Sequence, residues 1–190
     1  MVVRLDTSCA LVIVDVQNDF MPTGTLPVPD ADKIVPVLNK YLYMFASNKL
    51  YIFATRDWHP PNHISFKQRG GVWPMHCVKD TLGAEFHNDL KIPRSATIIS
   101  KGTEADKECP SGFDGTELAK KLEQNGIKRV LIAGVATDYS VKSTALDAIN
   151  FGLDVVILGD AVRGIKNNNG AIKEMQSRGV KMASISQLKD

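Results

Sequence analysis

The sequence has no long apolar segment and almost no net charge. The apolar run ALVIV (residues 10–14) stops at Asp15, and no run approaches the roughly 20 residues that cross a bilayer. We therefore expect neither a membrane span nor a secretory leader. The 23 Lys and Arg residues against 21 Asp and Glu residues leave a net charge of +2, which argues against nucleic acid or an anionic membrane as a partner.

Cysteine is also scarce. Cys9, Cys77 and Cys109 are an odd number and lack the spacing of metal ligands, so they indicate reduced thiols and a cytoplasmic protein. The rest of the composition, 44% hydrophobic and 23% charged, is that of an ordinary globular protein. A chain of 190 residues suits a single domain, which we predict to span residues 1–190.

Short apolar runs alternate with helix-like segments along the chain. Strands are predicted at residues 10–16, 50–55, 96–100, 129–135, 154–158 and 180–185. Helices are predicted at residues 31–48, 115–126, from about 138 onward, and 169–179. This alternation predicts an α/β fold with a mostly parallel sheet and helices on both faces. Residues 56–95 interrupt it and contain all four histidines; a connection of this length is usually functional.

Chemically useful residues follow four of the predicted strands. In chain order they are Asp15, the pair Asp57 and His59, Lys101, and Ser140. Ligands of open parallel sheets bind outside the carboxyl ends of the strands, so we expect these groups to converge. A carboxylate beside an ammonium can take the proton of a nucleophile, and N–H groups where a helix starts can bind an oxyanion. Taken alone, an Asp or Lys near a strand end is more often a loop hydrogen-bonding residue or a solvated charge, and the serine is explained by an ordinary helix start; the convergence of these residues is what favours a site.

Asp57, His59 and His76 supply one carboxylate and two imidazoles. This set suits Zn²⁺, Fe²⁺ or Mn²⁺ with coordination positions left open. His63 is an additional candidate ligand, whereas His87 is predicted to lie at the surface. Since lone histidines are more often structural, it is their density in this segment that favours a metal.

Four aromatic residues lie within a few positions of these groups: Phe20, Trp58, Trp73 and Tyr139. They fit either packing beneath the long segment or a slot for a flat aromatic ligand. Two histidines and one aspartate are also the ligands of non-haem iron oxygenases. The α/β alternation argues against that alternative.

Seven segments together resemble the nicotinamidase/pyrazinamidase branch of the isochorismatase-like cysteine hydrolases: IVDVQNDF, ATRDWHPPNHISF, WPMHCV, GAEF, ISKGTE, SGFDGTEL and GVATDYSVKSTALDA. The resemblance extends from Val12 to about Gly164. It implies a three-layer α/β/α domain with a six-stranded parallel sheet. It also implies hydrolysis of nicotinamide, or of pyrazinamide-like amides, to the acid and ammonia, a step of NAD salvage. Members are often homo-oligomers, although this sequence has no interface signature.

The resemblance also implies individual roles. The catalytic pair falls on Asp15 and Lys101, and the oxyanion donors are the backbone N–H groups of Ala136 and Ser140, with a cis peptide before Ala136. The metal ligands fall on Asp57, His59 and His76, and zinc is the expected metal. His63 matches a histidine that joins the ligands in some members of the family. The ring-binding positions fall on Phe20 and Trp73, to which we add Tyr139 as a third aromatic contact.

Two positions depart from the family pattern. Pro110 stands where the family has a tyrosine, and Ser140 occupies the position of the nucleophilic cysteine. A thiol has a pKa near 8.5 that a helix start lowers, whereas a serine hydroxyl is far less acidic, so we expect weak or no turnover. A substitution made to trap substrate, a natural serine variant and a non-catalytic nicotinamide-binding homologue all fit. The other alternative is an isochorismatase or carbamoylsarcosine-type hydrolase, which we expect to lack the metal ligands.

Overall fold

Six parallel strands form the central sheet of the computed structural model, which describes residues 2–166 and 168–189. In chain order the strands are β1 (Val3–Arg4), β2 (Cys9–Val14), β3 (Tyr51–Asp57), β4 (Thr97–Lys101), β5 (Arg129–Val135), β6 (Asp154–Arg163), β7 (Lys181–Ala183) and β8 (Leu188–Lys189). The central sheet has the order β4-β3-β2-β5-β6-β7, and β1 pairs with β8 in a separate two-stranded sheet. The predicted fold class is therefore confirmed.

Helices cover both faces of this sheet. The α-helices are α1 (Val35–Ser47), α2 (Leu118–Gln124), α3 (Lys142–Asn150) and α4 (Asn169–Ser177). Short 3-10 helices lie at Asn18–Phe20, Ala31–Ile34, Lys67–Arg69, Leu82–Ala84 and Ile185–Gln187, and a π-helical turn at Thr137–Val141 precedes α3. No helix in the described ranges is long and apolar enough to cross a membrane.

The core is divided by the sheet because successive strand residues point to opposite faces. In β2, Leu11 and Ile13 pack in the cluster that contains the inner face of α1. Val12 and Val14 belong to the opposite cluster, which includes buried residues of α2, α3 and α4. The chain therefore forms the three layers that the resemblance implies.

Several element boundaries differ from the prediction. Helix α2 begins at Leu118 rather than at residue 115, because Gly115 has a left-handed φ of +62° and the Thr116 hydroxyl accepts the Leu118 N–H at 3.1 Å. Strand β6 continues beyond residue 158 to Arg163, past a register shift in its pairing with β5. The β1–β8 pair was not predicted, because two-residue strands have no periodicity to detect.

The strand order determines where a site can form. The chain passes from β2 to β3 and β4 on one side, and then returns to place β5 on the other side of β2. This reversal is a topological switch point, and ligands of open α/β sheets bind in the crevice at the carboxyl ends of such strands. The crevice here is bordered by the segments that follow β2, β3, β4 and β5.

Gly134 is required where β5 approaches β2. Its φ is +121°, and a Cβ at this position would overlap the backbone of Val14. Gly126 also has a positive φ, +66°, but a Cβ there would meet nothing within 4 Å.

We therefore expect Gly134→Ala to lower the free energy of unfolding by more than about 3 kcal/mol, and Gly126→Ala by about 1–2 kcal/mol. Urea unfolding of both variants tests this difference, and equal losses would contradict it.

Candidate active site

Lys101, the last residue of β4, lies between two buried carboxylates. Its Nζ is 2.9 Å from Asp15 Oδ2 and 2.5 Å from Asp57 Oδ1. Lys101 is 2% exposed and Asp15 1% exposed, so water provides little solvation for these charges. The contact between Asp15 and Lys101 is the one expected from the sequence. The second ion pair, to Asp57, was not expected.

Burial and mutual attraction set the protonation states of these three groups. Burial raises the pKa of the Asp15 carboxyl above its usual value, despite the nearby Lys101 ammonium. Burial also opposes ionisation of Asp57, but Lys101 and His59 outweigh it and lower the pKa of that carboxyl. The two carboxylates likewise outweigh burial at Lys101 and hold its pKa above the usual value. Lys101 therefore stays cationic, and Asp15 is the carboxylate better suited to accept a proton.

The two oxygens of Asp15 have different surroundings. The Thr55 hydroxyl donates a hydrogen bond of 2.6 Å to Oδ1. Oδ2 forms the ion pair with Lys101 at 2.9 Å and has no other partner among the described residues. One oxygen is thus anchored to β3, while the other depends on Lys101.

Ser140 lies beside this array, in the π-helical turn between β5 and α3. The distance from Lys101 Nζ to Ser140 Oγ is 3.5 Å, a long hydrogen bond. The turn is closed by the N–H groups of Tyr139 and Val141, which donate to the Ala136 carbonyl at 3.0 and 3.1 Å. The Val135–Ala136 peptide is cis, as the resemblance implies. Ala136 and Ser140 both line the cavity in front of Lys101.

Asp57, His59 and His76 form a cluster suited to a metal ion. Their ligand atoms all lie within 4.8 Å of one another, and all three residues are buried. Nδ1 of His59 donates to the Gly102 carbonyl at 2.9 Å, and Nδ1 of His76 donates to the Pro74 carbonyl at 2.8 Å. These bonds leave both Nε2 atoms as acceptors, a pattern typical of metal-binding histidines. The donor set therefore fits a divalent transition metal.

His63 lies close to this cluster, but its ring nitrogens have other partners. Nδ1 is 2.7 Å from Ser65 Oγ, and Nε2 is 3.0 Å from the Lys107 carbonyl. The ring stacks on His59 with 4.1 Å between centroids. This arrangement argues against His63 as an additional ligand. His87 is partly exposed and does not line the cavity.

A cavity lies in front of these groups. Phe20, Trp73 and Tyr139 line it, and the rings of Trp73 and Tyr139 meet edge to face with 5.0 Å between centroids. Trp58 does not belong to this slot, because its ring packs against the Arg56 guanidinium, 3.6 Å from the ring centroid. The slot therefore contains three of the four aromatic residues suggested by the sequence.

Other residues of the site were not evident from the sequence. Glu108, Cys109 and Pro110 line the cavity together, and the only signal in the sequence was the departure from the family at Pro110. Thr55, whose hydroxyl binds Asp15, directly follows an apolar run. A polar residue in that position is the sequence signal that could have identified it as part of the site. Cys77 is not a nucleophile candidate, since burial raises the pKa of its thiol well above the usual value.

Comparison with known proteins identifies the family. The Isochorismatase domain model matches residues 9–187, and the chain belongs to that family. The chain is 38% identical to a nicotinamidase of Acinetobacter baylyi, with 93% of this chain and 92% of the relative covered.

Solved structures agree with this assignment. Pyrazinamidase of Pyrococcus horikoshii in complex with zinc is 56% identical, with a TM-score of 0.92 and 94% of this chain and 99% of that chain covered. PnC1 from L. infantum in complex with nicotinate is 34% identical, with a TM-score of 0.92, and the alignment covers 100% of this chain and 99% of that chain.

His59 should make the stability of the metal-free protein depend on pH. Burial lowers its pKa to about 4, compared with about 6.5 in an unfolded chain. Between these values the unfolded state binds the extra proton, so this contribution to stability falls as the pH falls from about 6.5 to 4. We expect His59→Gln to reduce that loss by on the order of 2–3 kcal/mol. Urea unfolding at several pH values in the presence of a chelator measures this loss of stability. If the pH dependence is the same in His59→Gln and the parent, the loss does not come from His59.

Proposed function

We propose that this chain is a metal-dependent amidohydrolase that converts nicotinamide to nicotinate and ammonia, with pyrazinamide-like amides as further substrates. The observation that carries the proposal is that Ser140, Lys101 and the three candidate metal ligands border one aromatic cavity. The nicotinamidase and pyrazinamidase relatives, and the nicotinate-bound structure among them, support this choice of substrate.

Asp57, His59 and His76 would hold the metal. Zinc is our first choice because the Pyrococcus horikoshii relative is in complex with zinc, with iron or manganese as alternatives. When bound there, the metal would supply a Lewis acid that could bind the ring nitrogen of the substrate and help to position it. Phe20, Trp73 and Tyr139 would contact the faces and edge of the ring.

The first half of the reaction forms an acyl-enzyme. The nucleophile at residue 140 attacks the carboxamide carbon and gives its proton to Asp15, while the N–H groups of Ala136 and Ser140 stabilise the oxyanion. The C–N bond then breaks as Asp15 returns the proton to the leaving nitrogen, and ammonia departs. Lys101 holds Asp15 in place and compensates the charge that develops beside it.

The second half releases the acid. Water attacks the acyl carbon and gives one proton to Asp15, and the bond to residue 140 breaks as that proton returns to the nucleophile. Nicotinate is the product. A serine hydroxyl is a much weaker acid than a thiol, so we propose that the chain with Ser140 turns over slowly while it retains the binding site.

The alternatives fit the site less well. An isochorismatase or carbamoylsarcosine-type hydrolase does not need the cluster of Asp57, His59 and His76. In a non-haem iron oxygenase we would not expect one ligand carboxylate to be bound tightly by a lysine, as Asp57 is by Lys101. A non-catalytic nicotinamide-binding protein is the second candidate, and Ser140 is the residue that favours it.

We also infer the setting in which the protein acts. Cys9, Cys77 and Cys109 are free and buried, which supports a cytoplasmic location. A small aromatic amide is the proposed partner, rather than nucleic acid or a membrane. A homo-oligomer is an expectation from the family resemblance alone.

Replacing the nucleophile should change activity. We expect Ser140→Cys to raise nicotinamide hydrolysis by at least about 100-fold, because the thiol ionises more readily while the two side chains are almost the same size. Ammonia release by both proteins, at the same zinc concentration and pH, is the measurement. Ser140→Ala, which has no nucleophile, is the control for background hydrolysis.

Two outcomes would contradict this proposal in different ways. Turnover by the present chain as fast as by Ser140→Cys would show that the serine is a competent nucleophile. No ammonia from either protein, with nicotinamide still bound, would favour the non-catalytic binding protein.

A further inference from the structure

The pairing of β2 with β3 ends before the candidate metal ligand. The last residues in register are Val14 and Thr55, and the Asp15 N–H donates once more to the Thr55 carbonyl at 3.1 Å. Strand β3 continues to Asp57. The N–H and C=O of Asp57 on the β2 side therefore have no strand partner, although buried peptide groups must be hydrogen-bonded.

The side chain of Gln17 satisfies both groups. Its Oε1 accepts the Asp57 N–H at 2.8 Å, and its Nε2 donates to the Asp57 carbonyl at 2.7 Å. Nε2 also donates to the Ala84 carbonyl at 2.8 Å, and the side chain is fully buried. The amide of Gln17 thus acts as a substitute peptide group that extends the ladder beyond the end of β2.

The other edge of Asp57 is held by β4. Asp57 lies in register with Lys101, and the Trp58 N–H donates to the Lys101 carbonyl at 3.0 Å. The backbone that carries the Asp57 carboxylate is therefore fixed from both sides. That carboxylate contacts Lys101 and belongs to the candidate metal cluster.

We propose that Gln17 is a positioning residue that aligns the Asp57 carboxylate for the metal and for Lys101; the inference rests on the proposed metal site. Glutamine is the side chain of this length that donates and accepts at once. Glutamate keeps the acceptor, but when ionised it cannot donate, and it places a negative charge beside Asp57. Methionine has a similar length and leaves three buried backbone groups without partners.

The test compares zinc affinity in Gln17→Met, Gln17→Glu and the parent protein. Each metal-free protein is first shown to be folded by near-ultraviolet circular dichroism, and its zinc dissociation constant is then measured by competition with a chromophoric chelator. We expect both variants to bind zinc about 10–100-fold more weakly, the usual effect of losing a residue that orients a ligand. Tyr41→Phe is the matched control, since it removes another buried side chain's hydrogen bond, 2.6 Å to Asp160, outside the cavity, and its affinity should match that of the parent.

Each other outcome overturns the inference. Zinc affinity unchanged in both Gln17 variants, while the parent binds zinc, would remove the positioning role and leave the proposed function intact. Failure of both variants to fold while Tyr41→Phe folds would make Gln17 a structural residue only. Failure of the parent to bind zinc, Fe²⁺ or Mn²⁺ under the same conditions would overturn both the inference and the metal-dependent function.

Discussion

The buried Lys101 ammonium holds the site together. It contacts Asp15 and Asp57, and so ties together the carboxyl ends of β2, β3 and β4. Removing one partner of a buried ion pair typically costs 3–5 kcal/mol, because the remaining charge is left without compensation. One ammonium cannot neutralise two carboxylates. Burial is the main cause of the raised pKa of Asp15, and the charge of the second carboxylate, Asp57, adds to it. Asp57 also belongs to the cluster that can accept a cation.

This sharing of one cation divides the site into two halves. Asp57, with His59 and His76, provides the half that would hold the metal and orient the ring. In the proposed mechanism, Asp15 and residue 140 provide the half in which a proton moves and a bond forms. Lys101 touches both halves, since it contacts both carboxylates and Ser140 Oγ. In that mechanism, a serine in place of a cysteine at residue 140 changes the acidity of the nucleophile but not the groups proposed to position the substrate.

The sequence predicts the strands and the residues at their ends because each buried strand is a short apolar run followed by a polar residue. It could not predict that Lys101 pairs with Asp57 as well as Asp15, because that depends on the register of β3 with β4. It could not decide whether His63 joins the metal ligands, since that depends on the partners of its ring nitrogens, which are Ser65 Oγ and the Lys107 carbonyl. Gln17 escaped notice because its role depends on where a neighbouring strand stops.

The proposed mechanism requires the metal cluster and residue 140 to act on the same bound amide. The most direct test is the distance from the carboxamide carbon to Ser140 Oγ in a crystal structure of the zinc-loaded protein with nicotinamide. We expect a distance of about 3–3.5 Å, with zinc on Asp57, His59 and His76 and the ring beside Phe20 and Trp73. Nicotinamide bound with its carboxamide directed away from Ser140, or bound in the cavity without contact to the zinc, would contradict it.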